Sequence, residues 1–200
     1  MFQRFLRLLQ SPKRAPYNLT EQARSSWVVR AETAAASIRA VVDANGPVSV
    51  ADLGCGDGKL RTALEPLIGD RLQYKGFDIL PQSPAVERID LEHESVPGRH
   101  TVITLLGVSE YVTDMSKLLG RVAQSARFLC VSYTSSDSGS FDAAQVAERQ
   151  WKHHHSKREV DAFARALGFR ERSFTFLDDG KVGLWVWEMD PKAGDDSSRP

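Results

Sequence analysis

The chain has 200 residues and carries 26 Lys plus Arg against 26 Asp plus Glu, so its formal net charge is zero. This length suits a single domain with a sizeable core, and the balanced charge gives no global field that would attract nucleic acid. No apolar run reaches the ~18 residues of a membrane span, and no uninterrupted apolar stretch marks a secretion signal. The two cysteines, Cys55 and Cys130, show neither disulfide-framework nor metal-site spacing. We therefore expect a reducing, cytoplasmic setting.

Residues 1–17 are predicted to form a short basic amphipathic segment, in which Phe and Leu lie among Arg and Lys residues. Two interpretations stay open: the segment packs on its own domain or frays, or residues 1–14 make weak contact with a membrane surface. A helix is predicted from Asn18 to about Val42, with Trp27, Ala31, Ala34 and Ile38 on its apolar face. It ends at the turn Asn45-Gly46-Pro47.

A short β-branched run from Val48 ends in the acidic residue Asp52 and is followed, after Leu53, by three glycines at alternate positions, Gly54, Gly56 and Gly58. This pattern predicts a buried strand that turns sharply into a helix, through a loop whose backbone approaches a ligand closely. A dinucleotide-binding fingerprint has a third glycine where this chain has Lys59. The alternative is a strand-to-helix turn whose glycines merely satisfy positive φ. The helix that follows is predicted to be cut short near Pro66.

Further apolar runs predict four more strands, which are Tyr74–Asp78, Ala85–Leu91, Thr101–Leu106 and Arg127–Tyr133. The first of these strands ends in Asp78, and the second ends beside Asp90. An acid about 20 residues beyond a glycine loop is placed to accept hydrogen bonds from both ribose hydroxyls, which predicts that role for Asp78. Thr113 is predicted to cap a helix between the last two of these strands, and residues 134–155 form a long polar connection, partly helical over Phe141–Trp151.

The C-terminal part begins with a capping box, Ser156 to Glu159, which opens a helix ending at Gly168. Two strands follow, Glu171–Leu177 and Val182–Met189, joined by a hairpin turn that makes the last strand antiparallel. The elements together predict an α/β three-layer sandwich with a mostly parallel seven-stranded sheet. Residues 18–189 are predicted to be one domain, and residues 190–200 a disordered tail.

These signals together resemble the class I methyltransferases that use S-adenosylmethionine (SAM). The resemblance covers about residues 18–189 and rests on the acids at Asp78 and Asp90, the C-terminal hairpin, and the segments Val48–Leu60 and Leu105–Val112. It implies transfer of a methyl group from SAM, giving S-adenosylhomocysteine (SAH), to an oxygen or nitrogen of a small or medium polar acceptor, a metabolite or sugar-like molecule. The alternatives are a non-catalytic scaffold of this fold that binds the cofactor and, less favoured, a nicotinamide-dependent dehydrogenase.

The resemblance also implies the site residues. The expected cofactor-binding residues are Asp52, Gly54, Cys55, Gly56, Asp78, Ile79, Asp90, Leu91, Leu106 and Gly107. The expected catalytic residues are Glu110, Tyr111 and His154, and the expected acceptor-binding residues are Tyr133, Trp151, His153 and His155. Tyr17 or Trp27 is expected to close over the acceptor.

Purely structural interpretations remain open for the expected catalytic and acceptor-binding residues. The segment at Glu110 and Tyr111 has the composition of a helix start with a core tyrosine. The three histidines also fit a partly exposed segment before a helix. A metal site is not expected there, because adjacent side chains point apart and no Cys or acid completes a tetrahedral ligand set.

Overall fold

The structure is a computed structural model, and it describes residues 21–190. The predicted basic segment at residues 1–17, Tyr17, the helix start at Asn18 and residues 191–200 of the predicted tail lie outside the described residues. The helices are α1 (Glu21–Val41), α2 (Lys59–Ile68), α3 (Met115–Ala123), α4 (Ala143–Glu148) and α5 (Lys157–Ala166). The strands are β1 (Val48–Leu53), β2 (Leu72–Asp78), β3 (Val86–Arg88), β4 (His100–Leu106), β5 (Ala126–Thr134), β6 (Phe169–Leu177) and β7 (Val182–Met189).

The seven strands form one sheet in the order β3-β2-β1-β4-β5-β7-β6. The pairs β3-β2, β2-β1, β1-β4 and β4-β5 are parallel, whereas β7 runs antiparallel to both β5 and β6. This confirms the predicted sheet and its C-terminal hairpin. In the hairpin turn Asp178, Asp179 and Gly180 all have positive φ, at 51°, 54° and 85°, a conformation that Asp and Gly adopt at lowest cost.

Helices cover both faces of the sheet and create two apolar cores. On one face α1 and α2 bury Ala34, Ile38 and Leu64 against alternate strand residues such as Val102. On the other face α3 and α5 pack against the strand residues that alternate with those of the first face, including Ile103. The central strands are apolar on both faces for this reason, which explains why their sequences are continuous runs rather than alternating ones. Among residues 21–190, no helix is both long and apolar enough to cross a membrane.

Several predicted element boundaries were wrong. The third strand stops at Arg88, because Asp90 forms a turn: its Oδ1 accepts a hydrogen bond from the Glu92 amide at 3.0 Å, an arrangement that competes with strand pairing. By contrast, α2 ends at Ile68, two residues after Pro66, which agrees with the predicted shortening near this proline. Proline has no amide to donate to the Thr62 carbonyl and its ring crowds that carbonyl, which disfavours a longer helix.

Two further differences concern helix starts. Asp114 rather than Thr113 caps α3, since its Oδ1 accepts from the Lys117 amide at 3.0 Å. The Thr113 hydroxyl is engaged elsewhere, as a donor to Glu92 Oε1 at 2.9 Å. In the long connection, α4 spans only Ala143–Glu148 and begins with its own capping box.

Candidate functional site

A cavity of about 820 Å³ lies at the carboxyl ends of β1, β2, β3 and β4 and is partly roofed by α1. Ligands of open α/β sheets bind at this edge, and the volume is within the range of small-molecule sites. All ten residues expected to bind a cofactor line it: Asp52, Gly54, Cys55, Gly56, Asp78, Ile79, Asp90, Leu91, Leu106 and Gly107. Residues that are far apart in sequence therefore meet in one cavity because parallel strands end at the same edge.

The glycine loop is tied to the end of β2 by main-chain hydrogen bonds. The amides of Gly54 and Cys55 both donate to the Phe77 carbonyl, at 2.8 and 3.0 Å. A Cβ on Gly54 would lie 2.7 Å from Val108 Cγ2, whereas a Cβ on Gly56 would have no atom within 4 Å. Gly54 thus makes room for a neighbouring side chain of the protein, and Gly56 presents open backbone to the cavity. The sequence had suggested the ligand-facing role for both.

Asp78 stands at the end of β2 and connects two segments of the cavity wall. Its Oδ2 accepts from the Gly56 amide at 3.1 Å, and its Oδ1 accepts from the Leu80 amide at 2.9 Å. Each carboxylate oxygen still has acceptor capacity for a ligand donor. Beside it, Ile79 keeps 43% of its surface exposed, so an apolar wall adjoins the carboxylate.

Asp52 is engaged within the protein. Its Oδ1 accepts from the Thr104 hydroxyl at 2.6 Å and its Oδ2 from the Tyr74 hydroxyl at 2.5 Å. Burial raises the pKa of Asp52 above its ordinary value, against the opposing effect of these two hydrogen bonds. Burial also raises the pKa of the neighbouring Cys55 to about 12, so this thiol is neutral and not a nucleophile near pH 7.

The end of β4 is closed by α1. Gly107 has a φ of +63°, and a Cβ there would overlap the Trp27 ring and lie 2.8 Å from Arg30 Nη1. The guanidinium carbon of Arg30 lies 4.1 Å from the centroid of the Trp27 ring, a cation–π geometry. Trp27 and Arg30 both line the cavity. The absent side chain of Gly107 therefore admits the two α1 residues that roof the site.

The expected acceptor residues fall into two groups. Tyr111 lines the cavity, whereas Glu110, Tyr133, Trp151, His153, His154 and His155 do not. Glu110 is only 1% exposed, and its Oε1 accepts from the Thr134 amide at 2.9 Å. Its Oε2 is buried with no hydrogen-bond partner among residues 21–190, and burial raises the pKa of this carboxyl. The side chain thus lies behind the cavity wall.

The remaining five residues form an aromatic cluster beside Glu110. Tyr133 is fully buried, and its hydroxyl accepts from the His155 amide at 2.8 Å and lies 3.0 Å from His153 Nδ1. Burial lowers the pKa of His153 to about 4, which keeps this imidazole neutral near pH 7. Trp151 and His154 pack together with ring centroids 5.7 Å apart. Among residues 21–190 no group of three or more His, Cys, Asp or Glu is placed to hold a metal ion.

Arg30 is the lining residue whose role sequence reasoning missed. It follows Trp27 by three positions and precedes Ala34 by four, so it lies on the face of α1 that was predicted to be apolar. The sequence did contain a signal for this residue, which is a cation on an otherwise apolar helix face. Lys59, also on the cavity wall, pairs with Asp57.

Solved structures with the same architecture include several methyltransferases. The magnesium protoporphyrin IX methyltransferase from Synechocystis, solved with bound SAH, matches with a TM-score of 0.62 and 17% identity, over 94% of each chain. The fold is that of the class I methyltransferases. A family 2 O-methyltransferase from Planctomyces limnophilus, in complex with apigenin, matches with a TM-score of 0.59 and 13% identity, over 83% of this chain and 60% of that one.

Mitomycin 7-O-methyltransferase shares this methyltransferase fold with a TM-score of 0.59 and 18% identity, over 84% of this chain and 58% of its own. No protein-family model matches the chain, and no curated protein sequence matches it either. At these identities the likeness establishes the methyltransferase fold.

Proposed function

We propose that the protein is a SAM-dependent methyltransferase that transfers a methyl group to an oxygen or nitrogen of a small or medium polar acceptor. The observation that carries this proposal is the convergence of the ten expected cofactor residues on one cavity. They come from the ends of four neighbouring strands in a sheet with the methyltransferase order. A ligand whose parts differ chemically needs different protein groups around each part, and the ends of four strands supply such groups in one cavity.

Each part of the ligand has a matching wall in this proposal. Asp78 accepts from the ribose hydroxyls, with Ile79 against the adenine face. Asp90 accepts from the adenine amine, and the main chain at Leu91 meets the ring. The glycine loop and the backbone at Leu106 and Gly107 hold the methionine portion. Bound SAM supplies an activated methyl group, so the protein mainly has to align donor and acceptor, which in favourable cases is worth roughly 7–11 kcal/mol.

We further propose that the acceptor approaches beside Tyr111 and Trp27, which both line the cavity. Glu110 then serves as a positioning residue behind the wall. Its carbonyl accepts from the Lys152 amide at 2.8 Å, and its carboxylate accepts from the Thr134 amide at 2.9 Å. These bonds fix the short helical turn Ser109–Tyr111. The aromatic cluster of Tyr133, Trp151 and His153–His155 supports the same turn from the far side.

A non-catalytic, cofactor-binding scaffold is the second candidate. It is favoured by one observation: Glu110 and His154, two of the three residues expected to be catalytic, do not line the cavity. The two functions share the ligand and differ in turnover.

Two measurements on the full chain test the proposal. Native mass spectrometry of the purified protein is expected to detect SAM or SAH as a co-purifying ligand, and a nicotinamide dinucleotide in its place would overturn the cofactor assignment. Incubation with SAM labelled at the methyl group and a fraction of cellular small molecules is expected to give SAH and a labelled product. Binding of SAM without any turnover across acceptor fractions would favour the scaffold.

A further inference from the structure

Arg30 is a buried cation with an incomplete set of partners. Only 6% of its surface is exposed, and its Nη2 donates to Asp178 Oδ2 at 3.1 Å. Its Nε is buried and has no hydrogen-bond partner among residues 21–190. A guanidinium carries five N–H donors, and leaving buried donors of a charged group unpaired is costly. The side chain nevertheless lines the cavity.

The guanidinium is held by two contacts before any ligand arrives. Its carbon lies 4.1 Å from the centroid of the Trp27 ring, and Asp178 accepts a hydrogen bond from its Nη2. Asp178 is itself oriented by the Ser26 hydroxyl, which donates to its Oδ1 at 2.7 Å. A planar guanidinium held by an aromatic ring and by a carboxylate has its remaining donors restricted in direction, and the fork geometry of these donors matches a carboxylate.

The cavity carries carboxylates along several strand ends and a cation over β4. Asp78 and Asp90 lie at the end of β2 and just beyond β3, and Asp52 lies near the end of β1. Arg30 lies over Gly107 at the end of β4. Lys59, the other cation on the wall among the described residues, is paired with Asp57. Arg30 is therefore the cation best placed for an anionic group at the β4 side of the cavity.

We propose that Arg30 anchors the methionine carboxylate of the cofactor, with Asp178 as its positioning residue. This inference rests on the proposed function, which places ribose and adenine at Asp78 and Asp90 and so directs the amino-acid end toward β1 and β4. That end is zwitterionic. Its carboxylate meets Arg30, while its ammonium group faces Asp52 and the backbone at Leu106.

A purely structural role for Arg30 makes a different prediction. Its charge also acts on the buried Glu110, where it opposes the rise in the pKa that burial causes. If Arg30 served only that carboxylate and the Asp178 contact, its loss would change stability and would weaken all ligands alike. The anchor instead requires that the loss depend on the ligand's carboxylate.

The test compares SAM with decarboxylated SAM, which differs only by a hydrogen in place of the carboxylate. Isothermal titration of the wild-type full chain is expected to show tighter binding of SAM by about 10- to 100-fold, the range for a hydrogen bond to a charged group. Arg30→Gln is expected to abolish most of that preference while leaving affinity for decarboxylated SAM within roughly twofold. Arg30→Lys keeps the charge without the planar fork and is expected to give an intermediate preference.

Arg39→Gln is the matched control, because Arg39 lies in the last turn of the same helix and outside the cavity wall. It is expected to keep the wild-type preference. If Arg30→Gln weakens SAM and decarboxylated SAM equally, or changes neither, the anchor is refuted. Arg30→Lys provides the same readout should Arg30→Gln fail to fold. If the wild type binds neither ligand, the proposed function fails, and that outcome differs from a failure of the anchor alone.

Discussion

Replacing Gly54 by alanine tests whether that glycine serves the protein or the ligand. The residue has a φ of +72°, and a Cβ would lie 2.7 Å from Val108 Cγ2 and 2.9 Å from Val108 Cβ. The left-handed conformation costs an alanine roughly 1–2 kcal/mol, and overpacking adds about 1–3 kcal/mol. We therefore expect Gly54→Ala to lower the free energy of unfolding by about 2–5 kcal/mol in the absence of any ligand.

Gly56→Ala separates the two contributions. Gly56 also has a positive φ, of +53°, but a Cβ there would meet no atom within 4 Å. Only the conformational cost applies, so the expected loss is roughly 1–2 kcal/mol. Val108→Ala removes the γ carbons that would crowd the new Cβ in Gly54→Ala. Adding it to Gly54→Ala should therefore restore part of the lost stability, whereas its effect should simply add to that of Gly56→Ala.

The assay is urea unfolding of the ligand-free proteins followed by circular dichroism, with equal denaturant slopes as the condition for comparison. Equal losses for Gly54→Ala and Gly56→Ala would refute the packing argument. Strict additivity of Gly54→Ala with Val108→Ala would refute it as well.

Two other outcomes follow from individual carboxylates. Asp78→Asn keeps the shape of the side chain but loses its charge, and we expect titration to show that the binding free energy of SAM is weakened by about 1.5–3 kcal/mol. Asp70→Asn, at an exposed position, is the control. Unchanged SAM affinity in Asp78→Asn would show that Asp78 is structural. Glu110→Gln keeps an acceptor for the Thr134 amide and removes a carboxyl whose pKa burial raises. A raised folded-state pKa destabilises the protein as pH increases above the unfolded value, so the unfolding free energy of Glu110→Gln relative to wild type should rise between about pH 4 and pH 7. A flat difference across that window would contradict the burial argument.

The position of the ten expected cofactor residues on one cavity wall could be predicted because local sequence and strand direction fix it. A glycine that needs positive φ and an acid that closes an apolar run each mark a strand end. Parallel pairing then brings the strand ends to one edge of the sheet. Asp78 illustrates this: its place at the end of β2 follows from the chain immediately before it.

The acceptor side could not be placed in the same way. Tyr133 shares a sheet face with Leu129 and Val131, and all three belong to one apolar core. Because β5 is apolar on both faces, its period of two does not reveal which face a long connection will cover. The packing of His153 and His155 against Tyr133 decides that the tyrosine is buried.

Arg30 required knowledge of tertiary contacts. Its partners are Asp178 in the hairpin and the ring of Trp27, and the hairpin lies at the opposite end of the described chain. A local pattern marks such an arginine as unusual on an apolar helix face but gives no indication of what it faces.

The central claim is that the cavity binds an adenosyl amino acid rather than a dinucleotide. Isothermal titration of the wild-type chain with SAH and with NAD tests it most directly. We predict saturable binding of SAH with one site per chain and no saturable heat with NAD. Saturable binding of NAD, with none of SAH, would contradict the account.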